Sequence, residues 1–407
     1  MYVAQLEMNF YTVYNKILTQ MKPFHLLILS ALIALCTGCV YPFEAKNVKE
    51  IEGLIVIEGD IIANGATIVR LSRTIGLSEQ EESIQTVNDA SVLVESSTGL
   101  IYPAVETSPG IYEADTDGLD LTARYRLYVA TNDNMVYASD FVPVVISPSV
   151  SVDYKVFQWD KHINIYVSTR DPNTKTQYFR WTYEQNWEIT STFMATHTYD
   201  PSTGQYIQFT EFPPPYYYCW NEQSSTAILL DRTDKLSINT INDRRLLTIY
   251  EGDPRISHLY CIQVTQRALT AEAYAYWNTL LRNSQGLGGI FAPMPNELRG
   301  NISCLSNPEV PALGYINATT LTYSNRLFIE RHFPLRNDYI CINSLETYPY
   351  NFNATYTMDY FNNLFTSYRP VYEVNNRQSI VWAPRRCVDC TFGGTKNKPS
   401  WWPNNHR

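Results

Sequence analysis

Gly53-Leu54-Ile55-Val56-Ile57-Glu58-Gly59 packs three β-branched side chains between two glycines. Such a run has strand propensity at its centre and turn residues at both ends. Thr67-Ile68-Val69-Arg70-Leu71, Ala90-Ser91-Val92-Leu93-Val94, Gly110-Ile111-Tyr112 and Tyr125-Arg126-Leu127-Tyr128-Val129 repeat the pattern, separated by Gly, Asn, Asp and Pro. Short strands at this spacing predict an amino-terminal immunoglobulin-like or transthyretin-like β-sandwich over 50–147. Asp115-Thr116-Asp117-Gly118-Leu119-Asp120 alternates acids around a glycine as calcium loops do. It lacks the bidentate Glu that closes such a loop and falls where one strand must turn into the next, so it reads as a turn.

A larger β-rich domain is predicted over 148–407. His162 to Val167 and Tyr178 to Tyr183 alternate about the Asp171-Pro172-Asn173 turn and read as a hairpin. Further strands are expected at Ser225 to Leu230, Leu246 to Tyr250, Gly314 to Ile316 and Arg326 to Glu330. One amphipathic helix is expected over 270–282, with Thr270 as N-cap and Ala273, Tyr274, Trp277, Leu280 and Leu281 on one face. Glu211-Phe212-Pro213-Pro214-Pro215-Tyr216-Tyr217-Tyr218-Cys219-Trp220 cannot be a central strand across its prolines. It reads as a rigid loop that presents Tyr216, Tyr217, Tyr218 and Trp220 as candidate binding aromatics. Leu345 to Tyr372 reads as an irregular wrapped segment, and the terminal Trp401-Trp402 as docked against the second domain.

Ahead of the fold, Met21-Lys22-Pro23-Phe24-His25 and the apolar run Leu26 to Leu35 have the form of a secretory signal, too short to span a bilayer as a mature helix. Leu35-Cys36-Thr37-Gly38-Cys39 then places small residues before a cysteine, as a lipoprotein signal peptidase requires. Residues 1–38 are thus expected to be removed, with 1–20 preceding a better start at Met21. Cys39 carries the lipid, and 39–49 is the tether. The two or three acyl chains of such an anchor hold nearly permanently, at roughly 0.8 kcal/mol per buried methylene.

The formal net charge is -9, and losing Lys16, Lys22 and Glu7 makes the mature chain one unit more acidic. No basic stripe exists, so nucleic acid is a poor partner. Thirty-one Tyr and eight Trp against six His make a chain rich in amphipathic rings, which suit sheets and interfaces. Cys219, Cys261, Cys304, Cys341, Cys387 and Cys390 remain in the mature chain, an even count that predicts disulfides in an exported protein without choosing their pairing. Cys387-Val388-Asp389-Cys390 stands without a second CxxC or a His pair, and reads as structural rather than as a zinc site.

Catalytic patterns do not emerge from the residues. There is no GxSxG elbow, no HExxH, no phosphate loop and no dinucleotide fingerprint, and His162, His197, His258, His332 and His406 have no recognisable partners. Glu184, Glu188 and Asp231 read as solvated sheet-face charges. No enzyme activity, cofactor or metal site is expected.

The order of several short motifs resembles a known family. These are the lipobox, Gly53 to Gly59, Tyr178-Phe179-Arg180-Trp181 and Cys219-Trp220, then the Leu269 to Trp277 run, Leu298-Arg299-Gly300-Asn301-Ile302 and Leu313-Gly314-Tyr315. Cys387-Val388-Asp389-Cys390, Gly393-Gly394-Thr395 and Lys398-Pro399-Ser400-Trp401-Trp402 complete the series. Together they resemble the Bacteroidetes outer-membrane lipoproteins that carry a domain of unknown function and are often encoded beside TonB-dependent receptors. The resemblance implies a β-rich lipoprotein of the outer membrane, on its surface or its periplasmic side, with no established activity, and the cell surface is the expected location. It implies an accessory or ligand-binding partner of a TonB-dependent nutrient uptake system. A structural or adhesive envelope lipoprotein is the alternative, and a cell-surface hydrolase the third reading.

Replacing the lipidated residue tests the anchor. Cys39→Ser is expected to leave the protein in the periplasm or as an uncleaved precursor, read by fractionation. Processed mutant protein in the outer membrane would contradict the lipoprotein expectation.

Overall fold

Period-two burial sorts the amino-terminal strands. Ile55 and Ile57 point inward from Ile55–Gly59, Val69 and Leu71 from Ala66–Arg73, Val92 and Val94 from Ser91–Ser96, and Tyr125, Leu127 and Val129 from Arg124–Ala130. In this computed structural model, which describes residues 53–75, 85–171, 176–285, 300–334 and 339–404, the protein is mainly β. The expected leader, Cys39, the tether and His406 lie outside the described residues. The amino-terminal strands belong to one 12-stranded sheet that is nearly closed and barrel-like. Asp115 to Asp120 forms the connection between Ile111–Asp115 and Arg124–Ala130. Asp120 accepts from the amide and hydroxyl of Thr122 at 2.9 and 2.7 Å.

That sheet is completed from far along the chain. Ala318–Thr319 runs parallel to both Ile61–Ile62 and Val142–Val145, and Ile302–Cys304 pairs with Val136–Ser139. Ile302, Cys304, Ile316 and Ala318 enter the amino-terminal core. Two glycines permit this return, because a Cβ at Gly300 would lie 1.7 Å from the Gly314 carbonyl oxygen, and one at Gly314 2.0 Å from that of Ile57. Asn301 then clamps the crossing, its side chain accepting from Ile316 N at 2.8 Å and donating to Ile316 O at 2.9 Å. The stretch expected as a strand at Gly314 to Ile316 is therefore an extended crossing segment, held by side-chain bonds rather than by a ladder.

The second core is organised by Tyr178–Thr190, which pairs with Tyr260–Leu269 from Tyr178↔Leu269 to Trp187↔Tyr260. On its other side it holds Tyr218–Ser224 and Leu229–Arg232. His162–Arg170 does not form the expected hairpin with it, pairing instead with Val150–Phe157 and Thr240–Tyr250 in a separate three-stranded sheet. Both strands satisfy the alternation, but alternation says nothing about partners. Ile163, Ile165 and Val167 from the one sheet meet Phe179, Trp181, Ile262 and Val264 from the other. All of these lie in one compact unit, Glu52–Arg407.

The helix Ala271–Gln285 begins where its cap places it, with Thr270 Oγ1 accepting from Ala273 N at 3.1 Å. Ala273 is fully buried against Leu230 and Leu269, and Tyr274, Trp277 and Leu281 pack beside it. It is not the only helix. Leu345 to Tyr372, read as irregular, contains the strand Glu346–Pro349, the helix Met358–Ser367 and the start of the strand Tyr368–Val374. Thr357 caps that helix, and Phe361 buries its face against Tyr199, Tyr348 and Trp382. Its aromatic positions hide a helical period because Tyr and Phe are also the residues of strands.

A buried carboxylate ties these parts together. Asp60, just after the first strand, accepts from Arg180 at 2.5 Å and lies 3.2 Å from Arg267, while the Arg180 guanidinium lies 4.0 Å from the centre of the Trp277 ring. Burial lowers the Arg180 pKa and the Asp60 charge pulls it back up. Removing only the acid would strand two guanidiniums, so Asp60→Asn is expected to cost about 3–5 kcal/mol. The measurement is the urea midpoint, and a loss below 1 kcal/mol would show that the cluster is not a structural tie.

Candidate functional site

A cavity of about 640 Å³ opens at the far end of Tyr178–Thr190. Strand pairing sets its first wall: Trp187 lies opposite Asn221, and both line the cavity. Thr190, the last paired residue, and then Ser191 and Phe193 continue that wall. A second wall is the tight turn at Asp253 to His258. Asp253 caps the short 3-10 helix Pro254–Ile256 by accepting from Arg255 N at 2.9 Å. Phe333, Ile342 and Gly393 close the remaining sides.

Two disulfides staple these walls. Cys219 is joined to Cys390 and Cys341 to Cys387, each with Cα atoms 5.6 Å apart. Cys219 lies two residues from the lining Tyr217, Cys390 three from Gly393, and Cys341 next to Ile342. Backbone bonds reinforce the staples: Cys390 N donates to Tyr216 O at 2.9 Å, and Phe193 N to Cys387 O at 2.9 Å. Trp220 and Thr395 exchange a pair of 2.8 Å bonds. The two cysteines of Cys387-Val388-Asp389-Cys390 thus go to different partners. Cys261 and Cys304, expected among the disulfide candidates, instead carry free buried thiols. Each points into a different hydrophobic core, so neither meets another thiol. Burial pushes the Cys261 thiol up to about 12, against a smaller opposing pull from Arg326, which keeps it protonated and inert.

The charges on the walls are already engaged. Burial works to raise the Asp253 carboxyl, but Arg255 outweighs it, donating through Nε at 3.0 Å and Nη2 at 2.7 Å, and holds it below the usual carboxylate range. Arg255 Nη1 donates to Gln185 Oε1 at 2.9 Å, which also accepts from Tyr260 Oη at 2.8 Å. His258 Nε2 lies 3.0 Å from Thr190 Oγ1. Among the described residues, no group of three or more His, Cys, Asp or Glu is placed to hold a metal ion.

The four aromatics singled out in the sequence do not form one surface. Tyr216 is exposed with Lys396 4.4 Å above its ring, Tyr217 lines the cleft, and Tyr218 is half-buried with its ring 6.4 Å from that of His258. Trp220 is core, packed with Leu259, Cys261 and Trp402. The stretch is a loop only up to Tyr217. From Tyr218 it is a strand, and successive side chains go to opposite faces. Glu188, read as a solvated charge, is likewise buried, and accepts from Trp402 Nε1 at 3.3 Å. Trp402 docks as expected, its ring almost wholly buried.

Of the other histidines, His162 stacks on Phe157, His332 lies beside Tyr154, and His197 is buried 3.8 Å from Glu373. Sequence reasoning missed Trp187, Ser191, Asn221, Asp253 and His258 as neighbours. The available signal was Asp253-Pro254-Arg255, a cap followed by proline, which marks a fixed turn. A smaller cavity of about 290 Å³ between Tyr206, Tyr350 and Phe352 borders the aromatic cluster around Phe361.

Residues 40–324 match the family described as a domain of unknown function (DUF4249), and the chain belongs to that family. No match is found among curated proteins. The matched region carries the Trp187 and Tyr217 walls, while Ile342 and Gly393 come from beyond it.

Opening the staples is the direct test of how the cleft is held. Cys219→Ser with Cys390→Ser is expected to lower stability by about 2–4 kcal/mol. It should also raise hydrogen exchange around Tyr217 and Gly393 while leaving the amino-terminal sheet protected. Unchanged exchange at the cleft would mean that its backbone bonds suffice.

Proposed function

We propose that this chain is a non-catalytic outer-membrane lipoprotein that serves a TonB-dependent nutrient uptake system as an accessory or ligand-binding partner. The observation that carries the binding role is the stapled cleft, a cavity of about 640 Å³ whose walls come from five separate parts of the chain. Cavities of roughly 300–1,000 Å³ suit small ligands. Side chains that hydrolysis would call on are committed to structure: Ser191 Oγ donates to Phe193 O at 2.9 Å, and Asp253 is held by Arg255. Two disulfides support an oxidising compartment, and the signal and lipobox at Cys39 support a lipid-anchored location.

Partner contact falls to a different feature from the tyrosine loop. Trp159 is 98% exposed at the tip of the hairpin formed by Val150–Phe157 and His162–Arg170, beside the Phe157 and His162 stack. A large ring fully in water is the kind of residue that anchors protein interfaces. Extraction of native membranes in mild detergent is expected to recover a TonB-dependent β-barrel with the tagged protein. Trp159→Ser should reduce that recovery severalfold without changing the melting temperature. Recovery of no such barrel would favour the structural or adhesive reading.

A further inference from the structure

Resting on the binding reading above, we propose that the cleft takes an uncharged, hydroxyl-rich ligand, a neutral oligosaccharide of roughly two or three sugar rings. The charges and hydrogen bonds of the lining residues carry the argument. Asp253 and His258 are the lining residues among those described that can carry charge near neutral pH, and both are engaged, the first by Arg255 and the second by Thr190. An anion entering here would lose its water and gain no cation, and a cation would find no free carboxylate. Either costs several kcal/mol unless paired.

The hydroxyls narrow the chemistry further. Ser257 Oγ donates to Pro254 O at 2.7 Å and Ser191 Oγ to Phe193 O at 2.9 Å, so both serine oxygens have lone pairs rather than protons to offer. Asn221 donates one amide N–H to Gly393 O at 2.7 Å and accepts from Glu222 N at 2.9 Å, which leaves its second N–H to meet a ligand oxygen. The serine acceptors beside this donor suit ligand hydroxyls, which both donate and accept, better than carboxylates and phosphates, which only accept. The rings of Tyr217 and Phe193 line the same space and supply apolar faces for the C–H side of a sugar. The staples hold these groups before the ligand arrives, which lowers the ordering cost of binding.

The test uses the purified mature chain and reads binding by calorimetry. The probes are neutral tri- and tetrasaccharides with α-1,4-glucose, β-1,4-mannose and β-1,4-xylose linkages, each beside trigalacturonate as a charged counterpart. At least one neutral probe is expected to bind, with trigalacturonate weaker by about tenfold or more. Tyr217→Ala should weaken the neutral probe by about tenfold, and Ile342→Trp, at an exposed lip position, should block it. Circular dichroism and melting temperature verify that both variants fold. No binding by any neutral probe, equal binding of trigalacturonate, or indifference to both substitutions would overturn the assignment. A charged probe that binds and responds to Tyr217→Ala would defeat the ligand class alone and leave the binding-protein reading standing. Loss of all binding together with no barrel in the membrane extract would defeat both.

Discussion

Asp60 sits in the interior between two guanidiniums, 2.5 Å from Arg180 and 3.2 Å from Arg267, with the Arg180 charge also resting on the Trp277 ring. Three burials meet at this point. Asp60 follows the first strand of the nearly closed sheet, Arg180 and Arg267 face one another across the central ladder, and Trp277 comes from the helix. Ionised groups taken from water must be paired, so the packing that buries these elements must also bring the acid and the bases together. The apolar cores on either side supply most of the driving force without regard to direction. The charge cluster supplies the direction, because only one docking of the ladder and helix against Asp60 leaves no guanidinium stranded.

The family motifs acquire physical meaning in this setting. Arg180 lies in Tyr178-Phe179-Arg180-Trp181, Gly300 and Gly314 in the two short motifs that cross the first strand, and Trp402 at the end of the carboxy-terminal one. Each solves a packing problem: a paired buried charge, a backbone approach that a Cβ would forbid, and a ring that fills a gap beside Glu188. Packing accounts for these positions without appeal to chemistry. What differs along the chain is the cleft, where most of the wall comes from residues 40–324 and Phe333, Pro334, Ile342 and Gly393 come from beyond them.

Rigidity at the cleft comes from covalent and backbone ties together. The Cys219–Cys390 bond spans 171 residues and the Cys341–Cys387 bond 46, so each joins segments that would otherwise be distant in the unfolded chain. Around them, Trp220 and Thr395 exchange backbone bonds, and Asn221 reaches Gly393.

Strand alternation from Ile55 to Val129, the Thr270 cap and the docking of Trp402 were all legible in the residues, because burial pattern, caps and ring hydrophobicity are local properties. Partners were not legible. Nothing in the alternation of His162 to Val167 says that it pairs with Thr240–Tyr250 rather than with Tyr178–Thr190, or that Ala318–Thr319 returns to the amino-terminal sheet. Tyr216, Tyr217, Tyr218 and Trp220 looked like one surface as a string, but a strand begins at Tyr218 and divides them among solvent, cleft and core. The six mature cysteines said that disulfides should form, and only the meeting of segments chose Cys219 with Cys390 and Cys341 with Cys387, leaving Cys261 and Cys304 buried apart. The sequence by itself determined a mainly β protein with its helix cap and its strand faces. The tertiary structure alone decided the cleft, since contacts between Trp187, Asn221, Asp253, Ile342 and Gly393 depend on distances that no local propensity encodes.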